Sequence, residues 1–151
     1  MINYIVAVDP GEMCGWAIAR FEEDHLKTEY INAGQSPADD WEDWCVLNVY
    51  EGCLLVVEKF TITARTAQMS QQPRALETIG VMRFLARRAG AQFHMQTPSA
   101  AKRFVTDQQL HKVGLWKPGQ DHARDALRHL ILAITTHGTG QAREEMLQSL
   151  A

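Results

Sequence analysis

Cysteine is scarce in this 151-residue chain, with only Cys14, Cys45 and Cys53. They form neither an even set nor paired C-x-x-C spacing, which argues against a disulfide framework and against a zinc cage. Packed, reduced thiols are expected. Long apolar runs are missing as well: no stretch approaches the ~20 residues that a membrane helix needs, so no membrane partner is expected. The N-terminal MINYIVAVDPG has no basic segment and no small-residue cleavage site. Those are the marks of a secretory leader, and without them a cytoplasmic protein is expected. Repeats, low-complexity tracts and linker-like segments are lacking too, and the length suits one domain, residues 1–151, with a substantial core. Positive charge is short in the first part of the chain. Residues 1–60 hold 3 Lys/Arg against 12 Asp/Glu, while residues 61–151 hold 12 against 6. The net charge of −3 does not advertise a nucleic-acid binder. The asymmetry fits either a basic face on an acidic protein or an uneven, solvated surface.

What is present reads as alternating strands and helices. INYIVAVD is a buried strand, GWAIARFEE a second after a tight turn, and LKTEYINAG a third that alternates and ends in Gly. SPADDWEDWCVLNVYEG carries helix signals: Ser-Pro at its start, acids in the first turn and Gly at its end. CLLVVEKF is a continuous apolar run of strand type, and TITARTAQMSQQ is polar loop. PRALETIGVMRFLARRAG places Ala75, Ile79, Met82, Ala86 and Ala89 on one helical face, closed by Gly90. AQFHMQT is a short strand and PSAAKRFVTDQ a short helix. LHKVGLWKPGQ, with two Gly and one Pro, is loop. DHARDALRHLILAITTHG is a strong helix stopped by Gly138, and QAREEMLQSLA adds a last helical turn or frays. The order βββαβαβα implies an α/β fold: one mixed five-stranded sheet with helices on its faces.

Two strands end in an acid. Asp9 closes the run Ile5, Val6, Ala7, Val8 and leads into Pro10-Gly11, and Glu58 closes LLVVE. A carboxylate at the edge of a core is costly unless something compensates its charge. If the two strands are neighbours, both carboxylates emerge together, and His122 and Asp125, spaced i and i+3, can meet them from the last long helix. Such a set repels itself unless the pKa values rise or cations sit among its members. Oxygen ligands favour Mg²⁺ or Mn²⁺, and an imidazole suits Mn²⁺. A pair of ions held by carboxylates is a recurrent device for phosphodiester hydrolysis. Blander alternatives stand beside this one. Asp9 fits a turn acid, Glu58 an ion pair with Lys59 or an arginine, and His122 a solvated first-turn residue. Asp121 reads as the helix N-cap, His129 as a core or supporting residue, and Arg124 and Arg128 as surface cations.

VAVDPGEMCGWAI, LLVVEKF, QTPSAAKRFV and HARDALRHLILAITTH together resemble the RuvC-type Holliday junction resolvases, within the ribonuclease H-like superfamily. The four stretches follow that family's order across nearly the whole chain. The Asp-Pro-Gly turn, with Gly15 four residues after Gly11, and the Asp-Ala-Leu helix ending in Thr-His are its most specific parts. By position the resemblance implies Asp9, Glu58 and Asp125 as catalytic acids and His122 as a ligand where members carry Asp or His. It implies Lys102 as a basic active-site residue on the scissile phosphate, and Lys112 as a second basic position. Phe60 falls where the family stacks an aromatic on unpaired bases; a core aromatic fits the same position. The family's fold is ribonuclease H-like, its cofactor two Mg²⁺ or Mn²⁺ ions per site, and its substrate four-way DNA cut by paired symmetric nicks leaving 5′-phosphate and 3′-hydroxyl ends. A homodimer paired through helix 74–89 is implied, matching the two-fold symmetry of a junction. Arg65, Arg74, Arg83, Arg87, Lys102, Arg103, Lys112 and Lys117 are candidates for backbone contacts. The short central region resembles phage-encoded members, which act in the host cytoplasm.

Three competing functions remain. Another ribonuclease H-like nuclease, acting on branched DNA, flaps or RNA–DNA hybrids, would share the fold and metal site. An actin-like ATPase would begin with a similar Asp-x-Gly loop but needs two domains around its nucleotide. A metal-free DNA-binding module would have no use for Asp9, Glu58 and Asp125 together.

Overall fold

A computed structural model describes residues 2–26, 28–68 and 72–151. Five strands, β1 (Tyr4–Asp9), β2 (Met13–Arg20), β3 (Ile31–Pro37), β4 (Cys53–Glu58) and β5 (Gln92–Gln96), form one sheet in the order β3-β2-β1-β4-β5. The first three run antiparallel to one another as a meander, and β4 and β5 join β1 in parallel. The helices are α1 (Ala38–Asn48), α2 (Gln72–Ala89), α3 (Pro98–Phe104), α4 (Asp107–Lys112), α5 (Asp121–His137) and α6 (Gly140–Leu150). The expected mixed five-stranded sheet is present.

The central strands are apolar on both faces because both faces are covered. Along β1, Ile5 and Ala7 join Leu54 and Val56 of β4 beneath Leu127, Leu130, Ile131 and Ile134 of α5. Val6 and Val8, with Leu55 and Val57, face the other way onto Trp41 and Cys45 of α1 and Ile79, Met82 and Leu85 of α2. Each large aliphatic side chain buried this way contributes roughly 1.5–3 kcal/mol. The alternation has a functional consequence. Asp9 continues the Ile5–Ala7 face and Glu58 the Leu54–Val56 face, so both acids point to the side that α5 covers.

Several boundaries differ from the sequence expectation. The third strand begins at Ile31 rather than near Leu26, because Thr28–Tyr30 form a 3₁₀ turn, and it continues to Pro37 opposite Met13. The stretch read as a helix and then a loop, residues 98–120, contains two helices. The chain breaks at Val105, and Thr106 opens α4 with a capping box in which its hydroxyl accepts from the Gln109 amide and the Gln109 side chain accepts from the Thr106 amide. The C-terminal segment does not fray: α6 packs Ala142, Met146 and Leu150 into the core. Asp121 is not the N-cap of α5. Gln120 takes that position, and Asp121 is the first helical residue, paired with Arg124. Gly90 ends α2 at φ +70, the left-handed conformation that glycine adopts without strain. Among the described residues no helix is long and apolar enough to cross a membrane.

Candidate active site

The parallel register sets the first two acids side by side. Val8 pairs with Val57, and Asp9 and Glu58 are the next residues along β1 and β4. On the other side of β1, Asp9 pairs with Gly15 of β2. Glycine is required there: a Cβ on Gly15 would overlap the carbonyl of His122. The first turn of α5 thus rests directly on the β1–β2 backbone, which brings His122 to Asp9.

Asp9 is buried, and its Oδ2 lies 2.8 Å from His122 Nδ1. Burial pushes the Asp9 carboxyl above its ordinary range; the His122 contact pulls the other way, and the nearby charges of Glu58 and Asp125 push it further up. His122 is shifted upward as well, chiefly by its bond to Asp9, with Asp125 and Asp121 adding to the effect. These mutual influences mean that Asp9, Glu58, Asp125 and His122 share one electrostatic neighbourhood.

Each carboxylate also has a basic partner. Glu58 Oε2 meets Nε2 of His129 at 2.8 Å, and the other nitrogen of that ring meets Gln96 Oε1 at 2.8 Å. Gln96 pairs with Glu58 across β4 and β5, so one rung supports the buried imidazole from both sides. Asp125 is held through both oxygens. Arg128 Nη1 donates to Oδ1 at 2.6 Å, and Lys102 Nζ lies 3.1 Å from Oδ2. Arg128 is itself buried and also bonds Asp107 and the Val105 carbonyl, tying α5 to the start of α4. Beside it lies a cavity of about 430 Å³ lined by Lys102, Thr106, Asp107, Arg124, Asp125 and Arg128 among others.

The donor set suits a hard divalent cation, with carboxylate oxygens on three elements and one imidazole. Among the described residues, however, no three His, Cys, Asp or Glu side chains already enclose a common point. The physical reason is visible in the pairings: in each acid at least one oxygen faces its basic partner. Asp9 Oδ1 and Glu58 Oε1 make no such bond among the described residues.

The remaining sequence candidates are dispersed. Lys102 is in the site, exposed on α3, and contacts Asp125. Arg103 is exposed beside it and donates to the Ser99 carbonyl. Lys112 is exposed at the end of α4, and Lys117 is half-buried in the following loop, where its carbonyl accepts from Arg124. Arg65 lies exposed between β4 and α2. Arg74, expected on the DNA backbone, is instead surrounded by Asp39, Glu42 and Glu77, and its charge fastens α2 to α1. Phe60 is partly buried against the core beneath α1 and α2. Arg128, expected as a surface cation, is buried. Its only sequence signal was its place three residues after Asp125; nothing in the sequence marked Gln96 or Asp107 as partners.

No family model and no curated protein matches the sequence. Solved structures do match. One is T. thermophilus RuvC in complex with a Holliday junction substrate, at TM-score 0.59 and 14% identity, over 84% of this chain and 89% of that one. Another is a Thermus thermophilus RuvC structure, at TM-score 0.55 and 16% identity, over 84% and 90% of the two chains. The chain has the RuvC-like, ribonuclease H-like fold.

Proposed function

We propose that this protein is a metal-dependent endodeoxyribonuclease that cuts branched DNA, with the four-way junction as its substrate. The observation that carries the proposal is the meeting of Asp9, Glu58, Asp125 and His122 at one end of the sheet, in a fold shared with a resolvase bound to its junction. Three acids on three separate elements, drawn toward one another against their own repulsion, are poorly explained as turn or surface acids.

In this reading Asp9 and Glu58 hold Mg²⁺ or Mn²⁺, with His122 and Asp125 beside them. A bound divalent cation would acidify the attacking water and steady the charge that develops on the phosphate. The protein's own groups prepare the site. His129, locked by Gln96, fixes the rotamer of Glu58, and Arg128 fixes that of Asp125. The half-exposed ammonium of Lys102 is available to a phosphate oxygen. Arg103, Lys112 and Lys117 extend positive charge along α3, α4 and the following loop, suited to backbone contacts that position without reading sequence. Arg65 and Phe60 lie beyond the end of β4, and in this reading they would meet the DNA there.

A homodimer through α2 completes the proposal. Leu76 and Phe84 are exposed eight residues apart on this helix, with exposed Gly80 between them, and a two-fold pairing would cover them. The test is a panel of synthetic junction, fork, flap, RNA–DNA hybrid and duplex, each with Mg²⁺ or Mn²⁺. Preferential cutting of the junction supports the proposal. Preference for hybrid or flap would assign the site to a different ribonuclease H-like nuclease, and equal cutting with and without divalent metal would refute the chemistry.

A further inference from the structure

We propose that the protein alone takes one divalent cation rather than a pair, at Asp9 and Glu58, and that Lys102 and Arg128 supply at Asp125 the positive charge a second ion would bring. This rests on the nuclease function proposed above. The partners of the three acids are of two kinds. Asp9 and Glu58 are held by imidazoles, His122 and His129, which carry no permanent charge. Each of these acids keeps one oxygen outside that bond, and the two lie on adjacent strands facing α5. Asp125 is different. Both of its oxygens face cations, Arg128 at 2.6 Å and Lys102 at 3.1 Å.

The guanidinium is permanently charged, buried, and fixed in place by Asp107 and the Val105 carbonyl, so it cannot swing away when an ion arrives. A dication beside Asp125 would meet one fixed and one mobile positive charge a few ångströms away, where the surroundings screen poorly. Among the described residues, no Lys or Arg pairs with Asp9 or Glu58. The acids thus divide into a pair suited to a dication and a single carboxylate already balanced by protein cations.

The test is titration of the full-length chain with Mn²⁺ in the absence of DNA, read by calorimetry and by the electron paramagnetic resonance signal of free Mn²⁺. One Mn²⁺ per chain is expected. Asp9→Asn should weaken it by about tenfold or more, and Asp125→Asn by no more than about threefold, since metal affinity follows the groups that hold and orient the ligands. Lys102→Met replaces an exposed side chain and is therefore compatible with folding; it frees Asp125 Oδ2 while Arg128 stays on Oδ1, and should admit a second Mn²⁺ that binds only weakly. Two ions on the unaltered chain, equal losses in the two acid variants, or a single ion in Lys102→Met would each overturn the inference and leave the nuclease proposal standing. Absence of any Mn²⁺ binding would overturn both.

Discussion

Gly15 and His122 meet backbone to backbone, and a single methyl group on Gly15 would overlap the His122 carbonyl. This contact joins the sheet to the helix that carries half of the candidate site. It also gives the glycine after the Asp-Pro-Gly turn a packing reason. Gly15→Ala should therefore destabilise the fold toward the upper end of the roughly 1–3 kcal/mol typical of overpacking, because two backbones cannot relax as a flexible side chain does. It should also reduce Mn²⁺ affinity by displacing His122 from Asp9. Urea denaturation and metal titration check both effects, and unchanged stability would mean that the helix does not rest there.

Asp9→Asn should abolish cleavage while leaving junction binding within about threefold, as the basic residues that would contact phosphates lie elsewhere. The variant should also remain folded, because the amide keeps a polar atom for His122 and removes a charge that burial disfavours. Gel-shift and cleavage assays on one junction separate the two effects. Loss of binding in parallel with cutting would place Asp9 in a structural role.

Arg128→Met should cost roughly 2 kcal/mol of stability. Breaking a fully buried ion pair costs more, about 3–5 kcal/mol, but Asp107 is exposed and solvent takes over part of its interaction. The loss should be coupled to Asp107→Asn: a double variant should be less unstable than the sum of the two single variants. Simple additivity would show that the guanidinium does not bridge the two helices.

Glu145 gives a prediction in pH. Its carboxylate accepts from the Leu26 amide and meets His25 and Gln141, which depress its pKa from 4.5 to about 2 in the folded chain. A depressed acid stabilises the fold above its unfolded value, and that contribution disappears as pH falls through its folded value. The stability difference between the wild type and Glu145→Gln should shrink as pH falls from about 4.5 to 2. A difference that holds at the acid end would contradict the contact.

Much of this was legible in the sequence. The apolar strands ending in Asp9 and Glu58, and the three-residue step from His122 to Asp125, are short-range patterns; that β1 and β4 are neighbours, which brings the two acids together, is a long-range relation those patterns left open. The supporting residues are another matter. Gln96 matters because β5 pairs in register with β4, and Asp107 because α3 and α4 turn back toward α5. Neither relation leaves a local trace. Arg128 looked like an ordinary solvated cation because helical spacing cannot say what covers a helix; the α3–α4 corner does so here. The acids around Arg74 were likewise invisible until α1 and α2 packed side by side.

The most direct measurement is strand-by-strand nick mapping on a synthetic immobile four-way junction, with Mg²⁺, with Mn²⁺ and with a chelator. Paired nicks at symmetric positions on two opposing strands, dependent on the metal and absent in Asp9→Asn, Glu58→Gln and Asp125→Asn, are the expected result. Uncut strands under every metal condition, or the same nicks in chelator, would contradict the central claim that these acids form a metal-dependent junction-cutting site.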